Sequence, residues 1–318
     1  MNKPGLATAQ SMDRQGVTYE TVSRDRDGQR IDNFLRHCLD NPPRSLIYRL
    51  LRTGQVRVNG GRVKPRHRLA EGDRVRVPPV RSNGSQAPRV NATVLEQVRA
   101  AILYADRHQI VVDKPAGMAA HRGSGLHFGL VDVLMQLYPS QPGLALVHRL
   151  DRGTSGCMLA GLDREALVEQ QAALRSGGIE KGYLALLTGE WREQKQEVDA
   201  PLHKGRKGRV AVSEAGKPAL TRFHLLQRYQ GFTLAEAEPV SGRTHQIRVH
   251  AAHMGFPIAG DAEYLAPQLL SRQRDLGLGR MFLHAHRLRM NWPEDIVVNA
   301  PLPDSLRDFL AQLSPLGK

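Results

Sequence analysis

Cysteine is scarce in this chain, and long apolar runs are missing. Cys38 and Cys157 are the only cysteines among 318 residues, and both stand within apolar patterns, so we expect buried thiols rather than a disulfide or a metal-binding pair. No apolar run approaches the roughly 18 residues that a membrane-spanning helix needs. The N-terminal residues also lack the apolar core of a secretory signal. We therefore expect a soluble protein of the reducing cytoplasm.

Acidic residues are outnumbered, 31 against 45 lysines and arginines, which gives a formal net charge of +14. A surplus of this size suits a polyanionic partner, namely RNA, DNA or an acidic membrane surface. With 41% hydrophobic residues the chain can bury a substantial core, and its length allows one large domain and a small one. Composition thus predicts a folded protein with an acidic partner.

The stretch His148–Gly156 concentrates charged and polar side chains within nine residues. Apolar runs precede it at 144–147 and follow it at 157–160, so we predict a polar loop between two buried strands. Asp151 is its only acid. A plain turn is the alternative, because Asp, Ser, Thr and Gly are common turn residues.

His148-Arg149-Leu150-Asp151-Arg152, followed by Thr154-Ser155-Gly156, resembles the signature loop of the RluA-type pseudouridine synthases. The resemblance implies that Asp151 is the catalytic residue and that Arg149 enters the RNA stack as the target uridine leaves it. Gly153 and Cys157 depart from the family pattern, which has a second aspartate and an aliphatic residue at these positions. Because Asp151 is retained, we expect the departures to tune the loop rather than to abolish the chemistry.

Three more segments resemble motifs of the same family. Asp113-Lys114-Pro115-Ala116-Gly117 resembles one that lies beside the active site, although a Pro-Gly turn fits equally well. Tyr183, in a predicted strand at 181–187, matches the tyrosine that packs against the target uracil; a core tyrosine is the alternative. Arg248, off the apolar face of a predicted helix within 242–255, matches the arginine that pairs with the catalytic aspartate and favours its ionised form. An exposed helical arginine is the alternative.

Residues 28–80 combine two predicted amphipathic helices with short alternating strands. From residue 44 to residue 81, eleven basic residues stand against two acidic ones, a footprint for phosphates. The segment resembles the S4 RNA-binding domain through 30–35, 54–60 and Gly72-Asp73. A solvated basic face is the alternative. The residues that we expect to contact RNA here are Arg44, Arg52, Arg57, Lys64, Arg66 and Arg68.

The predicted organisation is a flexible N-terminal arm (1–27), the S4-like domain (28–80), a linker (81–94) rich in Pro, Ser, Asn and Gly, and a catalytic domain (95–318). The fold class is predicted to be α+β. The resemblance implies a small S4-type RNA-binding domain plus a larger pseudouridine synthase domain, built on a mixed, mainly antiparallel sheet flanked by helices.

The resemblance implies isomerisation of specific uridines to pseudouridine, and it is greatest to the branch that acts on 23S ribosomal RNA. Asp151 would act on the sugar and base as nucleophile or base, and three routes stay open: attack on the ring, attack on C1′ and removal of the C2′ proton. The reaction adds and removes nothing overall, so we expect neither a cofactor nor a metal. Large-subunit rRNA is the expected partner, without a membrane or an obligatory protein partner.

An RNA-binding ribosome assembly factor with an inactive synthase-like domain is the alternative, and Gly153 keeps it open. Other enzyme classes fit worse. The segment 153–156 lacks the Gly-x-Ser-x-Gly spacing of a serine hydrolase, and Asp151 does not begin the Asp-Thr-Gly of an aspartic protease. His245, His250 and His253 lack a His-Glu-x-x-His arrangement, so we interpret them as hydrogen-bonded or solvated histidines rather than metal ligands.

Overall fold

The computed structural model describes residues 16–39, 42, 44–79, 90–122, 126–205 and 208–316. The chain divides into two compact units, a small unit (Met1–Arg89) and a large unit (Val90–Lys318). Each unit has its own hydrophobic core. Within the described ranges, no helix is long and apolar enough to cross a bilayer.

The small unit packs two helices against one face of a three-stranded antiparallel sheet. The helices bury one face each because their apolar residues recur at helical spacing, as at Ile31, Phe34 and Leu35. The strand order is β1-β3-β2. The elements are β1 (Thr18–Thr21), a 3-10 turn (Arg24–Arg26), α1 (Ile31–Cys38), α2 (Arg44–Arg52), β2 (Arg57–Val58) and β3 (Arg74–Val77).

The N-terminal arm ends earlier in the structure than the predicted residue 27. Thr18–Thr21 pairs with Arg74–Val77 along its whole length, so the boundary predicted at residue 28 lies too late. Four residues of alternating pattern are too few to distinguish a strand from an arm before its partner is known. Residues 1–15 and 80–89, which carry more than half of the predicted arm and most of the linker, lie outside the described residues.

The large unit is built around a 10-stranded sheet. Its strands and helices follow in chain order: α3 (Ala92–Ala100), β4 (Ile102–Ala105), β5 (Gln109–Lys114), α4 (Leu130–Leu137), β6 (Ala145–Leu146), β7 (Ser155–Gly161), α5 (Arg164–Ser176), β8 (Ile179–Thr188), β9 (Lys195–Asp199), β10 (Leu202–Lys204), β11 (Val210–Val212), β12 (Leu220–Tyr229), β13 (Phe232–Pro239), α6 (Gln246–His253), α7 (Pro267–Asp275), β14 (Leu283–Met290), β15 (Ile296–Asn299) and α8 (Asp304–Ala311).

The main path of the sheet has the order β4-β5-β7-β14-β8-β13-β12-β9. Strand β6 pairs with β7 and β15 with β14, while β10 and β11 form a separate hairpin. Strands β7 and β14 run parallel, and the other pairs of the large sheet run antiparallel. The prediction of an α+β protein with a mixed, mainly antiparallel sheet is confirmed.

Local signals place several element ends. Asp163 caps α5 by accepting a hydrogen bond from the Ala166 amide at 2.8 Å, and Gly177 ends the helix in the left-handed conformation. Asn91 caps α3 in the same way, through the Thr93 amide at 2.9 Å. The large unit therefore starts before the predicted residue 95, because a polar capping residue at 91 resembles linker sequence until the helix after it is known.

The centre of the large sheet is buried on both faces. All seven residues of β7 are buried, which explains the continuous apolar run that follows the polar loop. Cys157 is buried in this strand, whereas Cys38 is only partly buried in the small unit. The prediction of a buried thiol is therefore confirmed for Cys157 and only in part for Cys38.

Candidate active site

The signature loop joins β6 to β7 in the large sheet. Asp151 is partly buried, and its backbone carbonyl accepts a hydrogen bond from the Thr154 amide at 3.1 Å. The preceding residue, Leu150, is buried in the core. His148 accepts a hydrogen bond from the Leu159 amide at 3.2 Å, which ties the start of the loop to β7. A buried strand on each side thus fixes the loop that carries Asp151.

The end of β5 and the turn after it, residues 113–117, hold the signature loop at Arg152. The Gly117 amide donates to the Arg152 carbonyl at 2.7 Å, and Arg152 Nε donates back to the Gly117 carbonyl at 2.8 Å. Lys114 is fully buried, and its Nζ donates to the carbonyls of Pro115 and Met118 at 2.9 and 2.8 Å. Burial, aided by the charge of Arg280, lowers the pKa of Lys114 to about 7.

A chain of polar groups holds the other side of the loop. Arg280 donates to the Gly153 carbonyl at 3.3 Å and to Ser155 Oγ at 2.8 Å. Ser155 lies 2.9 Å from His284 Nδ1, and His284 Nε2 lies 3.2 Å from the Ala300 carbonyl. Because a carbonyl only accepts, Nε2 carries the proton and Nδ1 accepts from the serine hydroxyl. Burial lowers the pKa of His284 to about 4, so the ring is neutral.

Arg248 on α6 points its guanidinium towards Asp151, but Asp261 binds it more closely. The Nη1 to Asp151 Oδ2 distance is 3.4 Å, whereas Nε and Nη2 each lie 2.7 Å from a carboxylate oxygen of Asp261. Glu263 contacts Nη2 at 3.2 Å. Burial lowers the pKa of Arg248, yet Asp261, Asp151 and Glu263 outweigh it and raise that pKa above its ordinary value. Arg248 is thus a permanent buried cation.

The alternative of an exposed helical arginine is therefore wrong, since the Arg248 side chain is only 9% exposed. The helix pattern placed Arg248 off the apolar face, where an exposed side chain is usual. Its guanidinium instead pairs with Asp261 and Glu263 of the following segment, which a helical periodicity cannot show.

His245 adds a strained residue to the same site. Its φ of 55° lies in the left-handed region, which side chains other than glycine seldom adopt. Its Nδ1 lies 2.9 Å from the Tyr264 hydroxyl, and its Nε2 lies 3.9 Å from Asp151 Oδ2. Burial lowers the pKa of His245, against the attraction of Asp151. A neutral imidazole thus stands beside the Asp151 carboxylate at the start of α6.

Tyr183 and Lys181 project from β8 into the same cavity. The cavity measures about 270 Å³, and Arg149, Asp151 and Arg248 line it as well. Tyr183 is 7% exposed, and burial, then the charge of Asp151, raises its pKa well above the ordinary value. Burial lowers the pKa of Lys181 to about 8. The site thus places a neutral phenol and a desolvated lysine beside a carboxylate and a guanidinium.

The structure brings together every residue that the sequence placed at the reaction centre: Asp151, Tyr183, Arg248 and the exposed Arg149 line one cavity. It also adds residues that sequence reasoning missed as functional. Asp261 and Glu263 follow α6 in a short acidic segment, but nothing in the sequence indicates that they pair with Arg248. Lys181 lies in the predicted strand at 181–187, but no role was predicted for it. Because it is two residues from Tyr183 on that strand, its side chain lies on the same face, and this position could have indicated that it lines the site.

The predicted RNA-binding side chains of the small unit are exposed where they are described. Arg52, Arg57, Lys64, Arg66 and Arg68 are all at the surface. The side chain of Arg44, the first residue of α2, lies outside the described residues.

For His250 and His253, which both lie on α6, the sequence favoured hydrogen-bonded or solvated histidines over metal ligands. His250 is buried between Thr221 Oγ1 at 2.9 Å and the Ala200 carbonyl at 3.0 Å. Both of its ring nitrogens therefore have hydrogen-bonding partners. His253 lies near the end of α6. Among the residues that the structure describes, no group of His, Cys, Asp and Glu is arranged to hold a metal ion.

Comparisons with known proteins agree with this site. The family model described as RNA pseudouridylate synthase matches residues 108–253, and the S4 domain model matches residues 29–75. The ribosomal large subunit pseudouridine synthase C of Pasteurella multocida is 44% identical over 308 residues, covering 94% of each chain. That of Escherichia coli O157:H7 is 45% identical over 310 residues, covering 93% of this chain and 97% of the relative.

A solved structure supports the same assignment. Human RNA pseudouridylate synthase domain containing 1 superposes with a TM-score of 0.57 at 27% identity, covering 68% of this chain and 88% of its own. The family model covers all three elements that line the cavity. They are the signature loop, strand β8 with Tyr183 and helix α6 with Arg248. The chain therefore belongs to the RNA pseudouridylate synthase family, alongside the ribosomal large subunit pseudouridine synthase C proteins.

Proposed function

We propose that this protein isomerises specific uridines of 23S ribosomal RNA to pseudouridine in the cytoplasm, with Asp151 as the catalytic carboxylate. The observation that carries this proposal is the pairing of Asp151 with a buried, permanently charged arginine in a cavity of about 270 Å³. A pure RNA-binding protein has no use for a carboxylate in a groove that must accept a polyanion. The names of the relatives supply the substrate class, the large ribosomal subunit.

Asp151 supplies the negative charge that the reaction needs at the nucleoside. Isomerisation breaks the bond from N1 to C1′, turns the uracil and joins C5 to C1′; the C5 proton is lost and N1 gains one, so atoms balance. Attack on the ring, attack on C1′ and removal of the C2′ proton all begin from an ionised carboxylate. Arg248 lies 3.4 Å from that carboxylate and fixes its place, because Asp261 anchors the guanidinium.

Tyr183 holds the detached uracil by packing against it. Its raised pKa keeps the phenol protonated at neutral pH, which favours a stacking surface over the removal of the C5 proton. Stacking of a base on an aromatic ring contributes on the order of 1–3 kcal/mol. This holds the uracil in the cavity while it turns. Arg149, exposed at the mouth of the cavity, takes the place of the uridine in the RNA stack, since flipping a base costs roughly a few kcal/mol.

Tritium release from 5-tritiated uridine in unmodified 23S rRNA tests the proposal. The wild-type protein should release tritium, and Asp151→Asn should release none while it binds the rRNA with nearly unchanged affinity. Asp163→Asn, which changes a helix cap at a distance from the cavity, is the matched aspartate control and should retain activity. Equal release by wild type and Asp151→Asn would contradict the role of Asp151. No release by either, with RNA binding intact, would favour the assembly factor.

A further inference from the structure

The two faces of the small unit's sheet differ sharply in chemistry. Val58, Val75 and Val77 are buried against the helices. The cross-strand register places Tyr19, Arg76 and Arg57 opposite one another on the other face. Because side chains alternate along a strand, Arg74 lies on that same outer face, two residues before Arg76. The outer face therefore carries one aromatic ring and three guanidinium groups.

The ring and one guanidinium form a stack that is open to solvent. Arg74 Cζ lies 4.1 Å from the centroid of the Tyr19 ring, which is cation–π contact. Tyr19 nevertheless remains 54% exposed, although a tyrosine of a folded domain usually buries most of its ring. The contact holds the ring in one orientation before any ligand arrives, which lowers the entropy cost of stacking on it.

The three arginines have no acidic partner within the described part of the chain. Arg57 donates to the carbonyls of Gly54 and Gly60, each at 3.3 Å, and Arg76 donates to the Gln55 carbonyl. Asp73, on the neighbouring turn, accepts hydrogen bonds from Asn59 at 2.8 Å and from the Ala70 amide at 2.8 Å. The guanidinium charges are therefore left for a ligand, and they surround an open depression of about 670 Å³.

We propose that this face, defined by Tyr19, Arg57, Arg74 and Arg76, binds an unpaired RNA nucleotide. The base stacks on Tyr19, and the flanking phosphates are bound by Arg57 and Arg76. An acidic peptide would match the charges but would leave the ring unused, whereas every nucleobase offers a flat face to it. The proposal takes from the proposed function only that the substrate is RNA, and it adds a second contact with a single-stranded segment.

The tyrosine comes from outside the recognised domain. The S4 model matches residues 29–75, whereas β1 with Tyr19 precedes that range. The preceding segment therefore adds a strand to the sheet and completes the stacking surface. Without β1, the arginines would attract phosphates but no ring would receive a base.

Binding of a short labelled oligouridylate to the full-length protein tests this surface, with a duplex of the same length as comparison. Tyr19→Ala should weaken binding of the single strand roughly tenfold, and Tyr19→Phe should bind within twofold of wild type. Tyr48→Ala, which removes a 40% exposed tyrosine from α2 of the same unit, is the matched control and should also bind like wild type. Affinity for the duplex should change little in all three.

The arginines are tested through the salt dependence of the same binding. Replacing Arg57 and Arg76 together by Gln should lower the slope of log affinity against log salt by about 1.4, the value for two phosphates of a single strand. In rRNA tritium release, Tyr19→Ala should raise KM and leave kcat unchanged. The binding readout needs no turnover, so a failure of the catalytic proposal leaves this test intact.

Three results would overturn the proposal. In the first, Tyr19→Ala binds the single strand as tightly as wild type does. In the second, Tyr19→Ala loses single-strand and duplex affinity equally. In the third, polyglutamate displaces the oligouridylate as effectively as unlabelled RNA does, which would assign the face to an acidic protein.

Discussion

The guanidinium of Arg248 is fixed by one acidic residue and presented to another. Asp261, which is 1% exposed, binds it at 2.7 Å through two parallel contacts, while Asp151 lies at 3.4 Å. The bidentate pair satisfies most of the charge, so Arg248 does not collapse onto the Asp151 carboxylate. At the scale of single residues, Asp261 therefore determines where the positive charge stands.

Asp261→Asn should free Arg248 from this anchor. Loss of one member of a buried ion pair costs about 3–5 kcal/mol of stability, and a displacement of about 1 Å near reacting groups can reduce turnover by about a hundredfold. We expect kcat for tritium release to fall more than KM rises. Glu263→Gln, which changes a more exposed partner of the same arginine, should have a much smaller effect. Equal effects of the two variants would assign no special role to Asp261.

Lys181 makes the free energy of unfolding depend on pH. Burial lowers its pKa to about 8 in the folded protein, against 10.5 ordinarily. Between these values the unfolded chain holds a proton that the folded chain has released, so the free energy of unfolding rises with pH there, by up to about 1.4 kcal/mol per pH unit. Lys181→Met should therefore stabilise the protein at pH 7, and this gain should shrink towards pH 10. Urea unfolding across this range measures it; a constant difference would contradict the buried charge.

At the scale of elements, the parallel contact between β7 and β14 leaves no space for a side chain. Gly156 pairs with Ala285 and has a φ of 111°. A Cβ at residue 156 would stand 2.2 Å from the Ala285 carbonyl oxygen, whereas a Cβ at residue 153 would stand 3.5 Å from Met281 Cε. The start of β7 thus requires glycine at residue 156, whereas the loop before it has room for a Cβ at residue 153.

Gly156→Ala should destabilise the large unit by several kcal/mol, because both the backbone conformation and the strand contact resist a Cβ. Gly153→Ala should change the free energy of unfolding by less than about 1 kcal/mol, since its neighbour is the flexible end of a methionine. Chemical unfolding followed by tryptophan fluorescence compares the pair. A stable Gly156→Ala protein would contradict the geometry of this strand pair. The departure from the family at residue 153 is thus compatible with an ordered loop.

Elements were predictable where their signal is local. The Asp163 cap, the glycine stop at 177 and the apolar strands beside the signature loop follow from a few adjacent residues. The site residues Asp151, Tyr183 and Arg248 came from motifs in which neighbouring residue types carry the information. The pairing of Arg248 with Asp261 and the place of β14 in the sheet could not be predicted, because they depend on which distant segments meet. The strand at Thr18–Thr21 was missed as part of a domain for the same reason.

At the scale of the whole molecule, the two units have separate hydrophobic cores and differ in which titratable and fluorescent residues they contain. Two histidines with strongly lowered pKa values belong to the large unit: desolvation lowers the pKa of the half-buried His148 to about 3 and that of the buried His284 to about 4. Both tryptophans, Trp191 and Trp292, also lie in the large unit. Tryptophan fluorescence therefore reports on the unit that carries the acid-sensitive histidines.

The large unit should lose stability between pH 6.5 and pH 4. In this interval the unfolded chain binds protons that the half-buried His148 and the buried His284 do not, so the free energy of unfolding falls as the pH falls, by at most about 1.4 kcal/mol per pH unit for each histidine. Guanidinium unfolding followed by tryptophan fluorescence at several pH values should show the fall, and His284→Gln should reduce it. An unfolding midpoint that does not change across this interval would contradict the buried neutral state of both rings.

Strand β14 enters the sheet between β7, which follows Asp151, and β8, which carries Tyr183. The two sides of the cavity are therefore joined by a strand that is made long after both of them. During translation, residues 283–290 therefore have to leave the ribosome before the carboxylate and the tyrosine can stand in one sheet. A nascent chain that has not yet exposed β14 thus lacks the strand that joins the two sides of its cavity.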